Sequence, residues 1–195
     1  MDNDKTQEKG TITMSTILDE NLKQEILSIY PPSASVRGML FVFERIPPKK
    51  LKNAVKGYAP DATRDTVIAL CDSTVFGSAK EGFLLTTERL YGKQIMTAGS
   101  CVNVKEITSV SYHKGKSRLD MNMVHIHTNM GTLELSLMGG AEDSEAIFTF
   151  LEKAIKILKN TKSSIAGASQ QDTGYCSSCG AAGNGRFCEY CGNSL

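Results

Sequence analysis

Hydrophobic positions recur along this chain with two different periods, and the change of period divides it. In DSEAIFTFLEKAIKILK, residues 143–159, Ile147, Phe150, Leu151, Ala154, Ile155 and Leu158 fall at the three- and four-residue intervals of one helical face. Asp143 or Ser144 caps its start, and Lys156 and Lys159 suit the carboxyl end, where the helix dipole favours cations. Two upstream segments repeat the helical spacing. TILDENLKQEILSIY offers Leu18, Leu22, Ile26 and Ile29 before Pro31 and Pro32 stop it, and PPKKLKNAVKGYA offers Leu51, Ala54, Val55 and Tyr58 behind a proline suited to a first turn. Between Thr66 and Leu137 the pattern changes to short runs rich in Val, Ile, Leu, Thr and Tyr, which predict strands over 66–71, 82–87, 89–95, 107–113, 118–128 and 132–137. Residues 114–117 and 129–131 read as hairpin turns, and Met39–Phe43 is too short for periodicity to assign to strand or helix.

Consecutive antiparallel strands followed by one helix predict an α+β fold, a partly closed β-barrel capped by its C-terminal helix, with helices preceding it. The expected organisation is a disordered terminus over 1–15, a helical and extended segment over 16–46 and a core domain over 47–159. A flexible linker over 160–174 and a cysteine-rich tail over 175–195 follow. The composition agrees with a packed core: 41% of the 195 residues are hydrophobic and 22% charged. Lys and Arg number 22 against 21 Asp and Glu, so the whole molecule has no field to draw it onto nucleic acid or membrane, and any such binding is local. The longest apolar stretch, Met39–Phe43, is far below the roughly 20 residues of a membrane span. The first 15 residues mix acids and bases without the basic-then-apolar order of a secretory signal. A cytoplasmic protein with reduced thiols is therefore expected, and its cysteines are read first as metal ligands.

Cys176, Cys179, Cys188 and Cys191 form two CxxC pairs in the last 20 residues, apart from the isolated Cys71 and Cys101. Four thiols in two tight turns suit a tetrahedral zinc ion. The halves YCSSCG and FCEYCG match, each with an aromatic residue before the pair and a glycine after it. So short a tail cannot build a hydrophobic core, and its folding is expected to depend on the metal. Iron is the main competitor on ligand softness. Two disulfides would conflict with reduced thiols, and a redox CxxC would not explain the duplication. Four thiolates leave no open position, so one zinc per chain, in a structural role, is expected. The tail resembles the short zinc ribbons appended to many bacterial proteins, although Ser177 and Glu189 stand where proline is common. That resemblance implies an interaction module.

In the core, ALCDSTVFGSAKEGFLLTTERLY, residues 69–91, contains a strand ending in an acidic turn and a glycine-lysine-glycine loop leading into the next strand. Through Asp72, Thr74, Phe76, Gly77, Lys80, Gly82, Leu85, Thr86 and Tyr91 it resembles bacterial pleckstrin-homology-like domains of the YokE type, over roughly 47–160. Read physically, Gly77 and Gly82 allow the tight backbone, Phe76 anchors the loop on the core, and Asp72 accepts turn N–H bonds or pairs with Lys80. A phosphate cradle from Ser78, Lys80 and glycine N–H groups is disfavoured by Asp72 and Glu81 alongside.

Two stretches are locally basic. Arg37–Lys56 holds Arg37, Arg45, Lys49, Lys50, Lys52 and Lys56 against Glu44, and His113–Arg118 holds Lys114, Lys116 and Arg118 with no acid. Lys49, Lys52 and Lys56 form one helical stripe, which is a candidate anion- or partner-binding surface and equally an ordinary solvated face. His125 and His127 alternate onto one strand face and with His113 or Asp120 could form a metal or acid-base site. No HExxH, GxSxG or P-loop sequence is present. The expected function is therefore that of a non-enzymatic binding or adaptor protein with a protein partner. Nucleic-acid association through the tail and the basic stretch, or anionic-lipid docking through the core, stand as alternatives.

Overall fold

Residues 14–116, 121–168, 174–175 and 182–183 are described by the computed structural model of the chain. Two compact units divide it, Met1–Lys159 and Asn160–Leu195. The first opens with helices α1 (Met14–Ser28) and α2 (Ala34–Met39), strand β1 (Leu40–Val42) and helix α3 (Pro48–Gly57). Strands β2 (Val67–Asp72), β3 (Gly82–Thr86), β4 (Arg89–Lys93) and β5 (Ser100–Asn103) continue from β1 into a five-stranded sheet in the order β1-β2-β3-β4-β5. Strands β6 (Ile107–His113), β7 (Asn122–Thr128) and β8 (Gly131–Leu137) make a three-stranded sheet in sequence order. Every pairing is antiparallel. Helix α4 (Ala141–Ala168) follows.

The five-stranded sheet is covered on both faces. Phe83, Leu85 and Leu90 join the larger core with Val124, Ile126 and Leu135 of the three-stranded sheet and with α4. Leu70, Leu84 and Tyr91 point the other way and pack with Ala54 and Tyr58, at and just beyond the end of α3. Burial on both sides explains why β2 and β3 read as unbroken apolar runs instead of alternating ones. The three-stranded sheet, by contrast, keeps its inward Val124 and Ile126 buried while the alternate positions of β7 are only partly covered. All six positions of the predicted α4 face, Ile147 to Leu158, are buried. In α1, Leu22 and Ile26 are buried as its periodicity requires.

The fold is α+β with two antiparallel sheets and a helix following them, and in one respect it departs from the expected barrel. Among the described residues no ladder joins the two sheets, so no barrel closes. Strand β8 instead lies against the ends of β2 and β4 through side chains. Ser73 Oγ donates to the carbonyl of Ser136 (2.9 Å), and Gln94 Nε2 donates to that of Glu134 (2.8 Å). Between them a Cβ on Gly92 would lie 2.3 Å from Leu135 Cδ2, so glycine is what permits this close approach.

Other differences have local causes. Of Met39–Phe43, Met39 ends α2, Leu40–Val42 form β1 paired with β2, and Phe43 opens a 3-10 turn over Phe43–Arg45. Strand β5 escapes the sequence pattern because it is an exposed edge with no apolar alternation, and α2 because it is six residues long and buries only Val36. Strand β4 stops at Lys93, where Gln94–Thr97 form a turn closed by Thr97 N–H donating to Gln94 O (3.3 Å). Helix α4 does not end at Lys159: it continues to Ala168 over residues read as a linker, since no proline interrupts them. Of the linker, 169–173 lie outside the described residues, as do 1–13 of the amino terminus. In the second unit, β9 (Gly174–Tyr175) and β10 (Ala182–Gly183) pair antiparallel.

Candidate functional site

The β2–β3 loop is built around one carboxylate. Asp72 ends β2 with its side chain 2% exposed and accepts hydrogen bonds from Lys50 Nζ, from Thr74 Oγ1 and from Thr74 N–H (3.0 Å). Thr74 Oγ1 in turn accepts from the N–H groups of Ser78 (2.7 Å) and Ala79 (3.3 Å), which closes the loop on itself. Helix α3 supplies the outer brace: Lys50 Nζ also donates to Gly77 O (2.7 Å), and Asn53 Nδ2 donates to Ser78 O (2.7 Å). Burial alone would push the Asp72 carboxyl up, but the hydrogen bonds from Lys50, Thr74 and the Ala79 N–H together hold it below the usual carboxylate range. Gly77 (φ +65°) and Gly82 (φ +122°) take the left-handed backbone expected of them. At Gly82 a Cβ would stand 2.0 Å from Cys71 O, so the position is closed to any side chain.

Two sequence expectations for this loop are corrected. The cation on Asp72 is Lys50, from α3, and Lys80 is exposed. Phe76 does not anchor the loop: it is 94% exposed, and Val75 beside it is 75% exposed. The loop is held instead by polar bonds, which leaves the apolar pair in solvent.

The basic stretch from Arg37 to Lys56 separates into three environments. The guanidinium groups of Arg37 and Arg45 both lie 5.5 Å from the centre of the Tyr30 ring, and Arg37 Nε donates to Pro31 O (3.1 Å). Lys50 is committed to Asp72. Only Lys49, Lys52 and Lys56 form the exposed stripe along α3. In the second basic stretch Lys114 and Lys116 are exposed, and Arg118 lies outside the described residues.

His125 and His127 share the outer face of β7 with ring centroids 6.2 Å apart. The two ring nitrogens of His127 meet Ser111 Oγ (2.9 Å) and Thr132 Oγ1 (3.1 Å), and Glu134 stands opposite His125 in the ladder. His113 pairs with Met123 at the far end of β6, and Asp120 is outside the described residues. The cleft of about 430 Å³ between the β4–β5 loop and the β7–β8 turn is lined by Lys93, Gln94, Val102, Met130 and Glu134 among others, with no histidine or cysteine. Cys71 is buried, and burial pushes its thiol up to about 12; Cys101 is exposed on β5.

Cys176, Cys179, Cys188 and Cys191 lie outside the described residues. What is described is the β9–β10 ladder, with Tyr175 opposite Ala182 and Gly174 opposite Gly183, so the segment carrying the first CxxC connects two paired strands. Among the described residues no group of three His, Cys, Asp or Glu side chains is placed to hold a metal ion. Among them, too, no helix is long and apolar enough to cross a membrane.

The sequence pattern assigns Phe76 to the core and Ile95 to a strand, whereas both stand exposed in loops. Val75-Phe76 and Ile95-Met96 are adjacent apolar pairs, and the structure places each in a turn, where no strand or helix buries them. Comparison of the chain with known protein families, with curated proteins and with solved structures finds no match.

Proposed function

We propose that this chain is a non-enzymatic binding protein of reducing, cytoplasmic surroundings, in which a pleckstrin-homology-like core carries a structural zinc ribbon that engages a protein partner. Two antiparallel sheets followed by a helix are compatible with that core, without a closed barrel. The single observation that carries the ribbon reading is the β9–β10 ladder, because Gly174–Tyr175 and Ala182–Gly183, which flank the first CxxC in sequence, are paired with each other. The donor set fits the metal: Cys176, Cys179, Cys188 and Cys191 would supply four thiolates, and a zinc ion held by them stabilises a fold without presenting a reactive position.

A binding role for the core is supported by how two of its reactive groups, His127 and Cys71, are placed. Hydroxyl groups meet both ring nitrogens of His127, and Cys71 is sealed in the core. A nucleic-acid reading is weakened by the division of the basic stretch, since Arg37 and Arg45 cover Tyr30 and Lys50 is bonded to Asp72.

Elemental analysis of reduced full-length protein tests the ribbon, with one zinc per chain expected and loss of it in the Cys188→Ser, Cys191→Ser variant. Metal-free protein, or full zinc in that variant, contradicts the assignment. An affinity capture comparing intact chain with the same variant tests the adaptor role: partners that depend on the ribbon disappear with the metal. An identical set of captured proteins would refute it.

A further inference from the structure

Five large apolar side chains left in solvent gather at one end of the core. Val75 and Phe76 in the β2–β3 loop are 75% and 94% exposed, Ile95 and Met96 in the β4–β5 loop 60% and 99%, and Met130 in the β7–β8 turn 95%. The ladder register brings the first two loops together, since Asp72 faces Gly82 and Gly82 faces Lys93. The loops begin at β2 and β4, two inter-strand spacings or about 10 Å apart. The β7–β8 turn joins them, because Met130 lines one cleft with Thr97 and Ala98.

These side chains are not a loosely folded part of the core. Lys50 and Asn53 of α3 fasten the β2–β3 loop at Gly77 and Ser78, so Val75 and Phe76 are presented on a backbone that is held. Met96 has φ 60°, a left-handed conformation that glycine or asparagine adopts at lower cost, yet an apolar side chain stands there at the tip.

The charge around the apolar tips has one predominant sign. The segments forming this end and the adjoining α3 carry Lys49, Lys52, Lys56, Lys80 and Lys93 against Glu81 and Glu134, while Lys50 and Asp72 neutralise each other. Helix α3 follows the loop toward Lys80, whose carbonyl lies 3.9 Å from a Cβ built on Gly57. Apolar side chains for the acyl boundary and ammonium groups for headgroup phosphates are the two requirements of an anionic bilayer surface. A single protein pocket would be met by one contiguous patch. Three separate loops ending at one pole are the geometry for entering a plane.

We propose that this end of the core docks on an anionic membrane, with Phe76, Met96 and Met130 entering the interface and Lys52, Lys56 and Lys80 meeting the headgroups. The inference goes beyond the adaptor reading and needs neither the ribbon nor its metal.

The chain contains no tryptophan, so Phe76→Trp in the full-length protein provides a single reporter at the loop tip. Its emission is expected to shift to the blue with vesicles of phosphatidylcholine and phosphatidylglycerol, and to stay unchanged with phosphatidylcholine alone. In co-sedimentation, Phe76→Ser with Met96→Ser should weaken binding by about tenfold or more. Lys56→Gln with Lys80→Gln should weaken it by about fivefold per lysine, and added salt should release the protein. Unchanged circular dichroism of each variant excludes misfolding as the cause. The proposal is overturned if the anionic vesicles leave the protein in the supernatant, or if they pellet it without moving the Phe76→Trp emission. It is also overturned if that emission shifts only with a membrane-free protein extract, which would make the occupant a protein.

Discussion

Lys50 of α3 and Asp72 at the end of β2, twenty-two residues apart in sequence, form an ion pair with side chains 19% and 2% exposed. It joins a helix on one face of the five-stranded sheet to the loop at that sheet's end. Removing one partner leaves the other charge poorly compensated. Asp72→Ala should therefore cost about 3 kcal/mol, lowering the melting temperature by roughly 10 °C. Lys50→Met should cost less than Asp72→Ala, because the carboxylate keeps its bonds from Thr74. A double-mutant cycle read by urea denaturation checks the coupling; additive losses would show that the two residues act separately.

Acid should weaken the fold through the same carboxylate. The Asp72 carboxyl is held below its ordinary value of 3.8 in the folded chain, so its contribution to stability is complete above that value and is lost as pH falls through the lower, folded one. The stability gap between the natural chain and Asp72→Asn should stay constant from neutral pH to about pH 4 and narrow below it. Denaturation curves across that range measure the gap, and narrowing already near pH 6 would point to another group.

Two glycines should respond in opposite ways to alanine. Gly82 has φ +122° and its Cβ would fall 2.0 Å from a backbone oxygen, so Gly82→Ala should cost about 3 kcal/mol or more. Gly38 in α2 has nothing within 4 Å of a built Cβ, and Gly38→Ala should stabilise by about 0.5–1 kcal/mol. Thermal melts of the two variants suffice to compare them.

Alkylation should separate the two core cysteines. Cys71 is buried with its thiol pushed up to about 12, whereas Cys101 lies exposed on an edge strand. Iodoacetamide on the folded protein should label Cys101 and spare Cys71 until denaturant is added, as peptide mapping by mass spectrometry would record. Early labelling of Cys71 would mean that the sheet opens readily.

The α4 face was legible because helical periodicity and burial are the same fact seen twice: Ile147, Phe150, Leu151, Ala154, Ile155 and Leu158 are spaced for one face and are buried on it. Strands β2, β3, β6 and β8 were legible within about a residue at each end for a similar reason, their composition and bounding turns being local. Strand β5 was not, since an exposed edge of Ser100–Asn103 needs no apolar pattern and is held by its neighbour β4. In the loop, Asp72, Gly77 and Gly82 were singled out correctly because a tight turn imposes its chemistry on adjacent residues. The turn N–H bond that Asp72 accepts from Thr74 is local and legible, whereas its cation, Lys50 in place of Lys80, and the exposure of Phe76 are not.

Features that act over short separations are written in the chain: helices α1, α3 and α4, most strands, the turn glycines and the paired spacing of Cys176, Cys179, Cys188 and Cys191. Tertiary structure decided which lysine is spent and which remains on the surface. It also decided that the sheets meet through Gly92 and Leu135 without closing a barrel, and that Val75, Phe76, Ile95, Met96 and Met130 face solvent at one end. Those outcomes depend on contacts between residues far apart in the chain, and a periodic pattern carries information only about neighbours.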